Sequence, residues 1–182
     1  EVKETLSNLD QYLFDQKLHS KAIDYLRTQI KKIKDTDIQL SMRYRVRSID
    51  HLEEINDFKN ILKELKIVIN YCISNMGVEH QATLTNTYKY CFYMFKLNRF
   101  NSCKNYLLKQ YKIYIQYYVN DELNLIGPFL QLLGKVHSEL SLHKKALTYF
   151  SECIKHEENL FESNKDPEGL ISVYKDCIKY LK

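Results

Sequence analysis

Apolar residues recur at steps of three and four along almost the whole chain. That period places them on one face of an α-helix. Interrupted at short polar junctions, the pattern predicts nine helices: 2–14 with 19–33, 38–55 with 58–76, 80–95 with 100–118, 121–140 with 143–162, and a last helix over 167–181. A longer rhythm lies over the short one. Ala22, Ile61, Cys103 and Ala146 share one slot, separated by 39, 42 and 43 residues, and Leu26, Leu65, Leu107 and Phe150 follow them by four. The junctions Leu18-His19-Ser20-Lys21-Ala22 and Leu142-His143-Lys144-Lys145-Ala146 are nearly alike. A period near 43 residues means helical hairpins that bury their apolar faces on one another. The predicted fold is therefore all-α: a right-handed helical-hairpin solenoid of four hairpins and a closing helix. It is read as one repeat domain over 1–182, with repeats near 2–35, 37–77, 79–119 and 120–163 and the closing helix at 167–181.

The junctions carry their own chemistry. Asn56-Asp57-Phe58, Asn98-Arg99-Phe100 and Ser141-Leu142-His143 are short polar turns, so the helices they join are antiparallel neighbours. Asn75-Met76-Gly77 ends a helix with Gly at the left-handed position. Asp166-Pro167-Glu168 opens one with a capping Asp and Pro in the first turn, and Asn120-Asp121-Glu122 is a second such start. Pro128 would then bend the seventh helix, unless that helix begins at Gly127-Pro128.

The slots explain why the hairpins need these residues. Ala22, Cys103 and Ala146 let two helices of a pair approach, whereas Ile61 does not, so the second hairpin is expected to be splayed or shifted. Leu9, Tyr90 and Leu133 precede a tight spot on the first helix of their pairs; in the fourth pair it is Gly134, expected to admit a neighbouring backbone.

Composition narrows the function. The chain of 182 residues is 45% hydrophobic, with four Gly and two Pro, which suits a helical core and leaves few breaks for β-turns. A net charge of +4 falls short of a nucleic-acid footprint. The five cysteines form no C-x-x-C pair, and their odd number argues against a disulfide or zinc framework and for a reducing compartment, cytoplasm or nucleus. No apolar run is long enough to span a membrane. The chain opens on Glu1 rather than Met, so a larger parent protein is expected. No phosphate loop, nucleophile elbow or metal-ligand pair appears, so no cofactor and no enzymatic activity are expected of this chain.

Leu130, Leu133, Gly134, Ala146, Phe150 and Cys153 resemble the tetratricopeptide pattern, including its small-x-x-x-aromatic step. The segment Met76-Gly77-Val78-Glu79-His80-Gln81-Ala82-Thr83-Leu84 resembles the linker of the long repeats of kinesin-light-chain type, with Gln81 where Pro is usual. Leu132-Leu133-Gly134-Lys135-Val136-His137, with Ala146 and Asp166-Pro167, is also similar to the C-terminal helical domain of SET/MYND lysine methyltransferases. The first resemblance implies a module that binds a peptide or partner protein. The second implies a non-catalytic lobe beside a SET domain of the same parent chain.

In tetratricopeptide arrays the first helix of each pair lines the concave face. Arg43, Arg47, Lys89, Lys96 and Lys135 fall on that face and would suit an acidic partner, and Arg45 adds to them if its slot points the same way. The Lys and Asn clamp that some such domains use for an acidic C-terminus does not transfer, since its slots hold Ser7, Gln11, Pro128 and Leu132. His137 reads as a packed histidine. His19 and His143, in one slot, read as packing residues too. Asp50-His51 with Glu53-Glu54 reads as a solvated helix end. Repeat three is rich in Tyr, which reads as core with hydroxyls at the rim; without a continuous basic strip it does not point to RNA.

Overall fold

The computed structural model describes residues 2–118, 125–164 and 167–180. Among them are nine helices: α1 (Val2–Asp15), α2 (His19–Ile33), α3 (Ile38–Glu54), α4 (Phe58–Met76), α5 (Gln81–Lys96), α6 (Phe100–Tyr117), α7 (Ile126–Glu139), α8 (His143–Asn164) and α9 (Glu168–Tyr180). They gather into two compact units, residues 1–75 and 76–182. In the first, α2 packs on α1 and on α3; in the second, α5, α6, α7 and α8 pack in succession and α9 lies against both α7 and α8.

One turn serves all four hairpins. Lys17, Asn56, Asn98 and Ser141 each adopt a left-handed φ of 55–58°. In every case the next amide donates back to a carbonyl of the preceding helix: Leu18 to Leu13 and Arg99 to Met94 at 2.9 Å, Asp57 to Leu52 at 3.0 Å, Leu142 to His137 at 2.8 Å. These bonds satisfy carbonyls that a helix end leaves open, so one short turn reverses the chain four times over. Asn tolerates that backbone better than most residues, which is why two junctions were legible as Asn turns. Gly77 takes its left-handed φ of 98° after α4, as its position implies.

The repeated slots are the core. Ala22, Ile61, Cys103 and Ala146 are wholly buried, and so, or nearly so, are Leu26, Leu65, Leu107 and Phe150. In the second unit Leu130, Ala146, Phe150, Cys153 and Val173 form one cluster across α7, α8 and α9. Phe129 is ringed by Tyr88, Tyr111 and Tyr114 at centroid distances of 5.4–5.8 Å. Several repeat-three tyrosines are thus core residues. Burial, with the neighbouring Cys91 thiol, pushes the Tyr88 hydroxyl up to about 12.

Two expectations are corrected here. Leu125 lies outside the seventh helix, which starts at Ile126, so Pro128 falls in its first turn, where no helical amide bond is lost and no kink is required. Gly134 does not admit a backbone. A Cβ there would meet the Phe150 ring at 2.7 Å, so the glycine is the hollow into which that ring packs. The expected helix starts at Asn120-Asp121-Glu122 and Asp166 lie outside the described residues.

Candidate functional site

The five cations singled out on the first helices fare differently. Arg43 on α3 is exposed, with no ion-pair partner among the described residues. Arg47, one turn on, is committed: its Nε donates to Asp10 of α1 at 2.6 Å, and its guanidinium also reaches Asp50 at 3.4 Å. Arg45 points elsewhere and pairs with Glu64 of α4 at 2.5 Å, both side chains more than four-fifths buried. In the second unit Lys96 is exposed and sits over the Phe92 ring at 5.2 Å. Lys89 is half-buried. Lys135 on α7 is bound to Asp176 of α9 at 2.6 Å. Two neighbouring bonds run in the same direction: Gln131 donates to Ser172 at 2.9 Å, and the Ser138 hydroxyl donates to the Tyr180 carbonyl. Lys135 therefore belongs to a polar seam that fixes α9 on α7.

A network in the first unit was not anticipated. Asp10 occupies the tight spot of the first hairpin, twelve residues before Ala22, where the fourth hairpin has Gly134. Asp10 is 4% exposed, and its carboxylate reaches side chains of α3. One oxygen lies 2.9 Å from His51 Nε2, and the other accepts from Arg47. His51 is fully buried, which overturns its reading as part of a solvated helix end. Its Nδ1 lies 3.1 Å from Nδ1 of His19 at the start of α2. Phe14 packs on both rings, at 5.3 Å from His19 and 5.2 Å from His51. Three helices thus meet on a chain of four polar side chains. The available sequence signal was an acidic residue in a slot that elsewhere holds Ile49, Cys91 or Gly134. A buried carboxylate is tolerated only where donors replace water, and the donors stand about one repeat along the chain.

The other histidines divide. His137 is buried, as its slot implied; its Nδ1–H donates to the Leu133 carbonyl at 2.8 Å and its ring lies 4.9 Å from Tyr149. Burial lowers its basicity, with that backbone bond opposing. His143 is exposed, so it is not a packing residue, while its counterpart His19 is half-buried in the network. Cys103 behaves as the small buried residue its slot suggested: its thiol donates to the Cys91 carbonyl at 3.1 Å, and burial raises Cys91 well above the ordinary thiol range. Such thiols are poor nucleophiles. Among the described residues no three His, Cys, Asp or Glu side chains converge to hold a metal ion, and no helix is long and apolar enough to cross a membrane.

No family model and no curated protein sequence matches the chain. Solved structures do. A Podosopora anserina protein assigned as a kinesin light chain, with nearly identical TPR-like repeats, matches at a TM-score of 0.71 and 9% identity, over 97% of this chain and 87% of that one. BtubC (BKLC) from P. vanneervenii matches at 0.72 and 14% identity, over 97% and 73%. The chain has the TPR-like helical-repeat fold shared by these structures.

Proposed function

We propose that residues 1–182 act as one repeat domain that binds a peptide or partner protein, acidic in character, on first-helix faces in each of its two units. The observation that carries this is the exposure of Arg43 on α3 and Lys96 on α5, neither paired with a carboxylate among the described residues. Lys89 adds a third cation. Arg47 and Lys135 contribute only where a partner's carboxylates replace Asp10 or Asp176, so they rank behind the other three. Helices that are already formed lose little conformational entropy when they bind. The free cysteines, all buried or half-buried, fit a reducing compartment, cytoplasm or nucleus.

The test is a calorimetric titration with acidic peptides against the wild type and a triple variant, Arg43→Glu, Lys89→Glu and Lys96→Glu. Binding by the wild type that falls at least tenfold in the variant, with circular dichroism unchanged, supports the assignment. Equal affinity ends it.

A second reading has one observation behind it. Leu9 and Tyr12 of α1 are exposed, Tyr12 by 58%. An apolar pair on the first hairpin suits docking against another domain, as in the non-catalytic lobe of a SET/MYND-type methyltransferase. Co-purification of this chain with a SET domain, lost on Tyr12→Ser, would separate this reading from the first.

A further inference from the structure

We propose that Asp10, His19 and His51 form an acid-sensitive lock that holds the first hairpin to α3.

The number of hydrogens the two rings can hold sets the limit. His51 Nε2 faces a carboxylate oxygen at 2.9 Å, so that nitrogen carries a hydrogen and donates. His51 Nδ1 then meets His19 Nδ1 at 3.1 Å, a distance that admits one hydrogen between the two nitrogens. With both rings neutral, His19 donates and His51 accepts. One added proton is tolerated: whichever ring becomes cationic, a single hydrogen still lies between the two Nδ1 atoms and the bond persists. A second added proton puts a hydrogen on both of those atoms. Two N–H groups then point at each other, and two cations share a site closed by Phe14. The contact breaks.

The surrounding charges do not remove this limit. From α1, Asp10 faces His51. From α3, Arg47 occupies the other Asp10 oxygen, and Asp50 faces Arg47. From α4, Glu64 is held by Arg45. Asp10 stabilises a charged His51 ring but already accepts its Nε2 hydrogen, and among the described residues His19 is the hydrogen-bond partner of Nδ1.

The sign is fixed by linkage. The folded hairpin holds at most three hydrogens on these two rings, whereas the unfolded chain holds four in acid. Over the acid range in which the unfolded chain takes up its fourth hydrogen, stability of the first unit therefore falls as acid is added. The lock stands whether or not the cations of the first helices bind a partner.

Hydrogen exchange on the intact chain at about pH 7.5 and about pH 5.0 tests it, with rates corrected for intrinsic exchange and α6 as the internal reference. These values bracket ordinary imidazole titration near ~6.5. The wild type is expected to lose protection in α1 and α2 by roughly tenfold, the scale of one such bond. His19→Gln is expected to lose none, because an amide can donate to His51 Nδ1 or accept from it. No loss in the wild type, or equal loss in both proteins, overturns the lock. If His19→Gln does not fold, imidazole ¹⁵N spectra of the wild type decide. Two cationic rings in a hairpin still protected overturn it; one neutral ring for as long as protection lasts supports it.

Discussion

The first and fourth hairpins fill one slot in opposite ways. In the fourth the side chain is deleted: Gly134 leaves a hollow, and the ring of Phe150 fills it from α8. In the first the same slot holds Asp10, whose carboxylate is buried and answered by His51 and Arg47 of α3. One solution is apolar and closed within its hairpin. The other is ionic and reaches into the next. The repeat therefore fixes where helices approach, while the chemistry of the approach is free to differ, provided each buried group finds what it needs.

Exchanging the two solutions should break the comparison most severely. Gly134→Asp places a Cβ at 2.7 Å from the Phe150 ring and a carboxylate with no donors in an apolar cluster. A clash and an unpaired buried charge together should cost more than about 4 kcal/mol. The second unit should fail to fold, read as loss of the cooperative melt. A variant that melts like the wild type would show the hollow to be far more yielding than its geometry implies. Next in size is Phe150→Ala, which removes the ring and leaves the hollow empty, at roughly 3–5 kcal/mol in a urea titration. Adding Gly134→Ala to it should recover part of the loss, because the new methyl enters vacated space and helix propensity improves. Simple additivity of two losses would mean that ring and glycine do not share the slot.

Asp10→Ala attacks the ionic solution. It strands His51, which is fully buried, and Arg47, which is partly exposed and can turn to water. The expected loss is about 2–3 kcal/mol, less than for the exchange in the fourth hairpin because one of the two stranded donors has an escape. Chemical denaturation at neutral pH measures it. A change below about 0.5 kcal/mol would mean that water serves Asp10's partners as well as the carboxylate does.

How much of this was legible in the sequence follows from the distances involved. Signals within one hairpin were readable, because turn and slot residues act on neighbours: Asn56, Asn98 and Gly77 turned the chain where expected, and Ala146 with Phe150 marked the core. Signals between repeats were not. Arg47 and Lys135 looked like open cations on amphipathic helices, yet their acceptors, Asp10 and Asp176, stand about one repeat away in sequence and beside them in space. His51 looked solvated beside Glu53 and Glu54 because the residues that bury it belong to α1 and α2. Gly134 was recognised as a close approach but given the wrong neighbour, since a glycine announces space and not its occupant. Pro128 left two starts open for the seventh helix, and the one that keeps it in the first turn prevails because it loses no amide bond.

The finest contrast lies between two buried histidines, one in each unit. His51 faces ionic partners, whereas His137 donates to a backbone carbonyl and is surrounded by packing. Burial, the larger influence on His137, disfavours its cation, so its proton affinity in the folded chain lies below the ordinary value near 6.5. The sign follows. Above that value both states are neutral there and His137 adds no pH dependence. As the pH falls below it, the unfolded chain takes up a proton that the folded chain resists, and stability declines until the folded-state value is passed. His137→Gln keeps a donor for the Leu133 carbonyl and removes the titration. Protection of α7 amides should then stay level from about pH 7.5 to about pH 5.0 in the variant and decline in the wild type, by the smallest margin of the effects considered. A parallel decline in both proteins would assign the acid sensitivity of the second unit to some other group. A level profile in both would mean that the carbonyl bond offsets burial and leaves the first hairpin as the acid-sensitive element.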